Sequence, residues 1–326
     1  MGAPVDPMGP SMTASSTRPG PRPRVPRATG ARTPAPTAPG APSYHRLSGL
    51  TPVLTVRCAP PRRGGGWLPV ADLAARPEAV RELIAHDARQ GLARYGQPLR
   101  PDVAAGFGLH RFVWPVSLLF TLPWFLERRV PLLGLGDVAL RRRPDAVELT
   151  VRPAEFACLP DDPAAGSGAG SEPGTAVGPE WARTVPDEAA LAATLRSALG
   201  AFLAPVLTAF GPEARRGPRV LWAMATDAVV EGLCYAGGLL GEQERARAEL
   251  SALLAPGGPP DPARTPGAGD RPAPAPAPFT PGAGFAPPAP GGGGAPALER
   301  SRASCCLVYT ADPKDMCGGC PRVTRR

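Results

Sequence analysis

Four of the chain's 7 cysteines fall close together near one end, as Cys305, Cys306, Cys317 and Cys320, spaced C-C-x10-C-x2-C. Four thiolates satisfy one structural zinc ion or one iron–sulfur cluster. Zinc ribbons bring two C-x2-4-C knuckles, and here only Cys317 and Cys320 form one. Neighbouring Cys305 and Cys306 cannot easily aim both sulfurs at one small tetrahedral ion. A two-iron cluster is larger and presents its ligand positions in pairs, so it accommodates a vicinal pair better. The histidines, His45, His86 and His110, all lie far upstream, which gives a local Cys/His zinc site or a Rieske centre no support. A vicinal Cys305–Cys306 disulfide is strained and disfavoured in a reducing compartment. The residue types thus favour a [2Fe-2S] cluster, with zinc and uncoordinated or disulfide-bonded thiols as the alternatives.

The run Cys305-Cys306-Leu307-x-Tyr309, then Cys317-Gly318-x-Cys320-Pro321, resembles the C-terminal signature of the FhuF-like ferric-siderophore reductases. That resemblance implies a [2Fe-2S] cluster held by Cys305, Cys306, Cys317 and Cys320. Val308 and Thr310 stand where the family often has aromatic and basic residues; neither is a ligand.

The surroundings suit electron transfer. Arg300, Arg302, Lys314, Arg322, Arg325 and Arg326 flank the cysteines in sequence, and positive charge stabilises the reduced form of an anionic cluster. Gly318 and Gly319 leave backbone N–H groups able to approach sulfur. The formal net charge of +8 is concentrated in residues 1–45 and 299–326, leaving the middle close to neutral. No globular nucleic-acid-binding face is indicated. Residues 1–45 show no apolar signal segment, and Phe112–Leu126 is short and broken by Pro115 and Pro123, so no stable membrane insertion is expected. A cytoplasmic protein is the expectation.

The elements that position the site must come from a chain with 47 Pro and 39 Gly. Residues 1–45 read as a disordered tail, 46–255 as one domain, 256–297 as a Pro/Gly-rich linker, and 298–326 as the cysteine segment. Within the domain, Val53–Cys58 reads as a strand and Arg62–Trp67 as a Gly-rich loop. Residues 70–95 have helical spacing interrupted near Pro77, with His86 on a solvated face. Residues 101–128 are strongly apolar and helical, with His110 and Arg111 in structural or surface roles. Val138–Arg143 and Ala146–Val151 form a β-hairpin around Pro144-Asp145, with Arg141, Arg142 and Arg143 protecting an edge strand or meeting an anionic partner. Pro186-Asp187-Glu188 opens a helix bent at Pro205 and stopped by Gly211-Pro212. Residues 219–240 form a helix apolar on nearly every side, and 241–255 an amphipathic one. Cys58, Cys158 and Cys234 read as buried small hydrophobes.

The fold class is therefore a helix-dominated α+β domain with a small β-hairpin or sheet and a C-terminal cysteine segment. No catalytic triad or carboxylate pair stands out, so no catalytic side chain is named. The resemblance implies a cytoplasmic reductase that passes one electron from a ferredoxin-like donor through the cluster to Fe(III) in a siderophore, releasing Fe(II). A non-enzymatic iron–sulfur sensor or a zinc-binding interaction module is the alternative.

Overall fold

The computed structural model describes residues 40–165, 182–254, 279–280, 283–286, 299–312, 314 and 320. At its centre is helix α4 (Pro101–Glu127), 27 residues long and buried along most of its length. Helices α1 (Ala41–Leu50), α3 (Pro77–Tyr95), α5 (Glu188–Ala214) and α6 (Pro218–Leu240) pack around it. A helix apolar on every side has nowhere to go but the middle. Helices α2 (Val70–Ala75) and α7 (Gln243–Leu254) complete the helical part. The architecture is the expected helix-dominated α+β class.

Beside the helices lies a four-stranded sheet in the order β1-β5-β4-β2. Its strands are β1 (Leu54–Cys58), β2 (Trp67–Pro69), β4 (Val138–Arg142) and β5 (Val147–Val151). The expected hairpin is present, β4 and β5 pairing antiparallel with Leu140 opposite Leu149. It is not at an edge, however. β1 pairs parallel to β5 on one side and β2 antiparallel to β4 on the other, so the arginine triplet does not guard an edge strand. A second, three-stranded sheet joins β3 (Arg129–Pro131), β6 (Phe156–Cys158) and β7 (Ala182–Thr184).

Pro115 and Pro123 do not interrupt α4. An interior proline frees the carbonyl four residues earlier, which for Pro123 is that of Leu119. The Tyr44 hydroxyl of α1 donates to that carbonyl at 2.6 Å. Ser43 near the start of α1 also donates, through N–H and Oγ, to Glu127, the last residue of α4. The folded chain thus begins before residue 46, and the expected tail of 1–45 gives up its last residues to α1. The rest of that tail, 1–39, lies outside the described residues. Tyr44→Phe leaves the Leu119 carbonyl buried without a donor and is expected to cost about 1–3 kcal/mol; deleting residues 1–45 removes the whole ring and should cost more. Thermal melts of both variants check this, and a truncated protein as stable as the full chain would contradict it.

Two helices among the described residues are long and apolar enough to cross a membrane, α4 and α5. The most apolar window of α4 is 89% buried inside the fold, as befits a core helix, and that of α5 is 39% buried. Asp187 caps α5, its carboxylate accepting from Ala190 N–H at 2.8 Å. Gly211-Pro212 does not stop this helix; it runs to Ala214 and turns at Arg215 in the left-handed region.

The approach of α6 to α4 depends on Gly232. A Cβ there would lie 3.0 Å from the Trp114 carbonyl oxygen and 3.2 Å from Ser117 Oγ. Backbone cannot swing aside as a side chain can, so Gly232→Ala must push the two central helices apart. It is expected to destabilise by about 1–3 kcal/mol, readable as a lower denaturant midpoint; an unchanged midpoint would refute the close-approach argument.

Candidate iron–sulfur centre

The chain between α7 and the cysteines does not read as one featureless linker. Phe279 packs against the main core, and Thr280 N–H donates to Thr226 Oγ1 of α6 at 3.2 Å. Strand β8 (Gly284–Ala286) then pairs antiparallel with β9 (Glu299–Ser301). The rest of the expected linker lies outside the described residues.

From β9 onward the chain runs along α6. Arg300 Nη2 donates to the Asp227 carbonyl at 3.0 Å and to Glu231 Oε2 at 2.9 Å. Arg302 Nη2 reaches the same Glu231 oxygen at 3.0 Å. The other oxygen of Glu231 lies 3.3 Å from His110 Nε2 on α4. Asp227 accepts from Ala303 N–H at 2.8 Å, from Ser304 N–H at 2.9 Å and from Ser304 Oγ at 2.5 Å. Burial by itself would raise the pKa of the Glu231 carboxyl. His110, Arg300 and Arg302 outweigh it and hold the group well below the usual carboxylate range.

Beyond Ser304 the chain reaches α4. Cys306, Val308 and Cys320 form a small apolar cluster with Val103 and Phe107, and Tyr95, Leu99 and Leu307 pack against it. Val103 and Phe107 are one turn apart on α4, so a single stripe of that helix receives both thiols. Leu307 sits in the left-handed region at φ 61°, which an L residue with a branched side chain rarely adopts. Its carbonyl accepts from Thr310 N–H at 2.9 Å and Thr310 Oγ1 at 2.7 Å, closing a short 3-10 turn over 308–310. Gln97 Nε2 fixes the far side of that turn through the Ala311 carbonyl at 2.5 Å.

Of the four expected ligands, Cys306 and Cys320 are buried together and Cys305 is half-buried beside them. Cys317 lies outside the described residues, as do Gly318, Gly319, Arg322, Arg325 and Arg326. Among the described residues no three His, Cys, Asp or Glu side chains are gathered tightly enough to hold a metal ion; the assignment of Cys317 rests on the sequence. By kind the donors fit a [2Fe-2S] cluster: Cys306 and Cys320 bring two thiols together against the apolar Val103, Phe107 and Val308. The other cysteines stand apart. Cys158 is buried and Cys234 half-buried, while Cys58, expected inside, is exposed at the end of β1. Burial pushes the Cys234 thiol up to about 11, against the pull of Arg300 and Arg247, and a thiol that stays protonated is a poor ligand.

The basic residues singled out in the sequence divide. Arg142 is buried, with Nη1 at 2.9 Å from Asp87 Oδ1 on α3 and Nη2 at 3.2 Å from the Gly108 carbonyl. Arg111 reaches the same Asp87 oxygen at 3.0 Å. His86 is therefore not on a freely solvated face; burial first, then the cations Arg142, Arg89 and Arg111, lower its pKa against the pull of Asp87. Arg141 and Arg143 instead share Glu148, at 2.5 and 2.9 Å. His110 has the structural role expected of it, through Glu231. Asp227 and Glu231 escaped notice in the sequence. They are the only acids in an otherwise apolar helix, spaced i and i+4, and buried acids require partners; that was the available signal.

Residues 302–322, which include all four clustered cysteines, match the family model described as the FhuF 2Fe-2S C-terminal domain. The segment lying against α4 and α6 is thus similar to the C-terminal domain of the FhuF family. No curated protein and no solved structure matches the chain.

Proposed function

We propose that the protein is a cytoplasmic ferric-siderophore reductase whose [2Fe-2S] cluster is held by Cys305, Cys306, Cys317 and Cys320. The observation that carries this is the FhuF-type 2Fe-2S match over 302–322, on a segment whose Cys306 and Cys320 are buried in one apolar patch. When bound, the cluster supplies a single electron to Fe(III) of the chelate, which leaves as weakly held Fe(II), and a ferredoxin-like donor restores it. Fe(II) binds hard oxygen donors far more weakly than Fe(III), so the chain's own side chains need no acid–base step. Val103, Phe107 and Val308 exclude water from the thiols. Arg300 and Arg302 bring positive charge close to the ligands, partly offset by Glu231, on which both end. Anaerobic purification tests the reading. A reddish-brown protein with iron and acid-labile sulfide in equal amounts, whose reduced form bleaches a ferric hydroxamate or catecholate chelate, supports it. A colourless, zinc-loaded protein overturns it in favour of an interaction module, and a coloured protein inert toward every ferric chelate in favour of a sensor.

A further inference from the structure

Arg300 and Arg302 are alternate residues of an extended segment, so their side chains leave on the same side. Both end on one carboxylate, Glu231, at 2.9 and 3.0 Å. One helical turn earlier, Asp227 takes the next two backbone N–H groups, those of Ala303 and Ser304, together with the Ser304 hydroxyl. A turn of α-helix advances 5.4 Å and two extended residues about 6.6 Å. Two acids one turn apart therefore keep step with a strand that runs against the helix. The match joins unlike features: Glu231 reads an Arg-x-Arg pair, and Asp227 reads the backbone that follows it. Asp227 is 2% exposed and the Arg302 side chain 2% exposed, so neither charge is merely a solvated surface group.

We infer that Asp227 and Glu231 are positioning residues for the iron–sulfur segment. They fix where Cys306 meets Val103 and Phe107 of α4, and they set the charge beneath the ligands. The role in setting potential rests on the cluster reading above; the seating does not. Two consequences follow from the geometry. The N–H groups of Ala303 and Ser304 are committed to Asp227 and are not donors to sulfur. The negative charges of Asp227 and Glu231 offset Arg300 and Arg302, so removing either acid leaves net positive charge next to the ligands and favours the reduced form.

The test uses the full chain and two readouts. In protein stripped of iron, amide hydrogen exchange in Asp227→Asn and Glu231→Gln should quicken by roughly tenfold or more over residues 299–306, while peptides of α4 and α5 keep their protection. In reconstituted protein, the midpoint potential of each variant should rise, on the order of a tenfold shift of the one-electron equilibrium, or 59 mV. Glu231→Asp, which keeps the charge, should return the potential toward wild type. Should the α6 variants fail to fold, Arg302→Gln and Ser304→Ala loosen the same seat from the segment's side, and both should quicken exchange over 299–306. Exchange over 299–306 within twofold of wild type in folded variants, with an unmoved potential, would overturn the inference. A wild-type protein that takes up no cluster would refute the cluster reading alone, and the exchange experiment would still decide the seat.

Discussion

Serine at Cys306 or Cys320 is expected to remove most of the visible absorbance of the anaerobically purified protein, and serine at Cys305 or Cys317 to do the same. A serine hydroxyl stays protonated where a thiolate is required, and it is a harder donor than iron–sulfur centres take. At Cys306 and Cys320 the change also places a hydroxyl in an apolar cluster formed with Val103, Phe107 and Val308. Cys234→Ser is the informative control. That thiol lies on α6 within reach of the Arg300 charge, and burial holds it protonated, at about 11. Its replacement, like that of Cys58 or Cys158, should leave the spectrum intact. The measurement is iron content and visible absorbance per chain across the seven single variants. Loss of colour in the Cys58, Cys158 or Cys234 variant, with retention in the clustered four, would reverse the ligand assignment.

The largest loss of stability is expected at Asp87, far in sequence from the cysteines. Its carboxylate is fully buried and holds two guanidinium groups, Arg142 with a side chain 7% exposed and Arg111 with one 25% exposed. Asp87→Ala strands the Arg142 charge among α3, α4 and β4. Breaking a buried pair from one side costs about 3–5 kcal/mol, which for a domain of this size lowers Tm by roughly 6–20 °C. Asp87→Asn keeps a carbonyl oxygen for the two arginines and should lose less. Calorimetry on both variants decides the matter, and a Tm for Asp87→Ala within a degree or two of wild type would show that Arg142 finds another partner or water.

How far the sequence could be read depended on the range of the interaction. α4 and the β4–β5 hairpin declare themselves locally, through a long, strongly apolar stretch and through alternation around Pro144-Asp145. The pairing of β1 beside β5 does not, because a parallel partner lies a whole crossover away and leaves no local mark. How α4 satisfies the carbonyl that Pro123 frees was illegible for a related reason. The donor that satisfies Leu119 is Tyr44, 75 residues earlier, in a stretch whose Pro, Ser and Gly content reads as tail. Phe279 was similarly hidden among Pro and Ala, where one anchoring ring hardly alters the average composition. At the candidate centre the spacing of the cysteines was visible at once, since ligand geometry constrains short-range sequence. The seat was not, because Asp227 and Glu231 become meaningful only opposite Arg300, Arg302 and Ser304.

The separation of Glu231 from Arg300, 69 residues, also orders events in time. At synthesis rates of about 5–20 residues per second, roughly 3–14 s pass between the two leaving the site of peptide-bond formation. Helix α6 and most of what packs against it are therefore made before the first clustered cysteine. Cys306 and Cys320 arrive after it, at a surface already supplied with two carboxylates and an apolar stripe. A nascent chain ordered in this way does not ask its metal centre to nucleate folding. On the proposed reading, assembly of the cluster becomes a late, separable step, and iron shortage should leave a folded protein rather than an unfolded one.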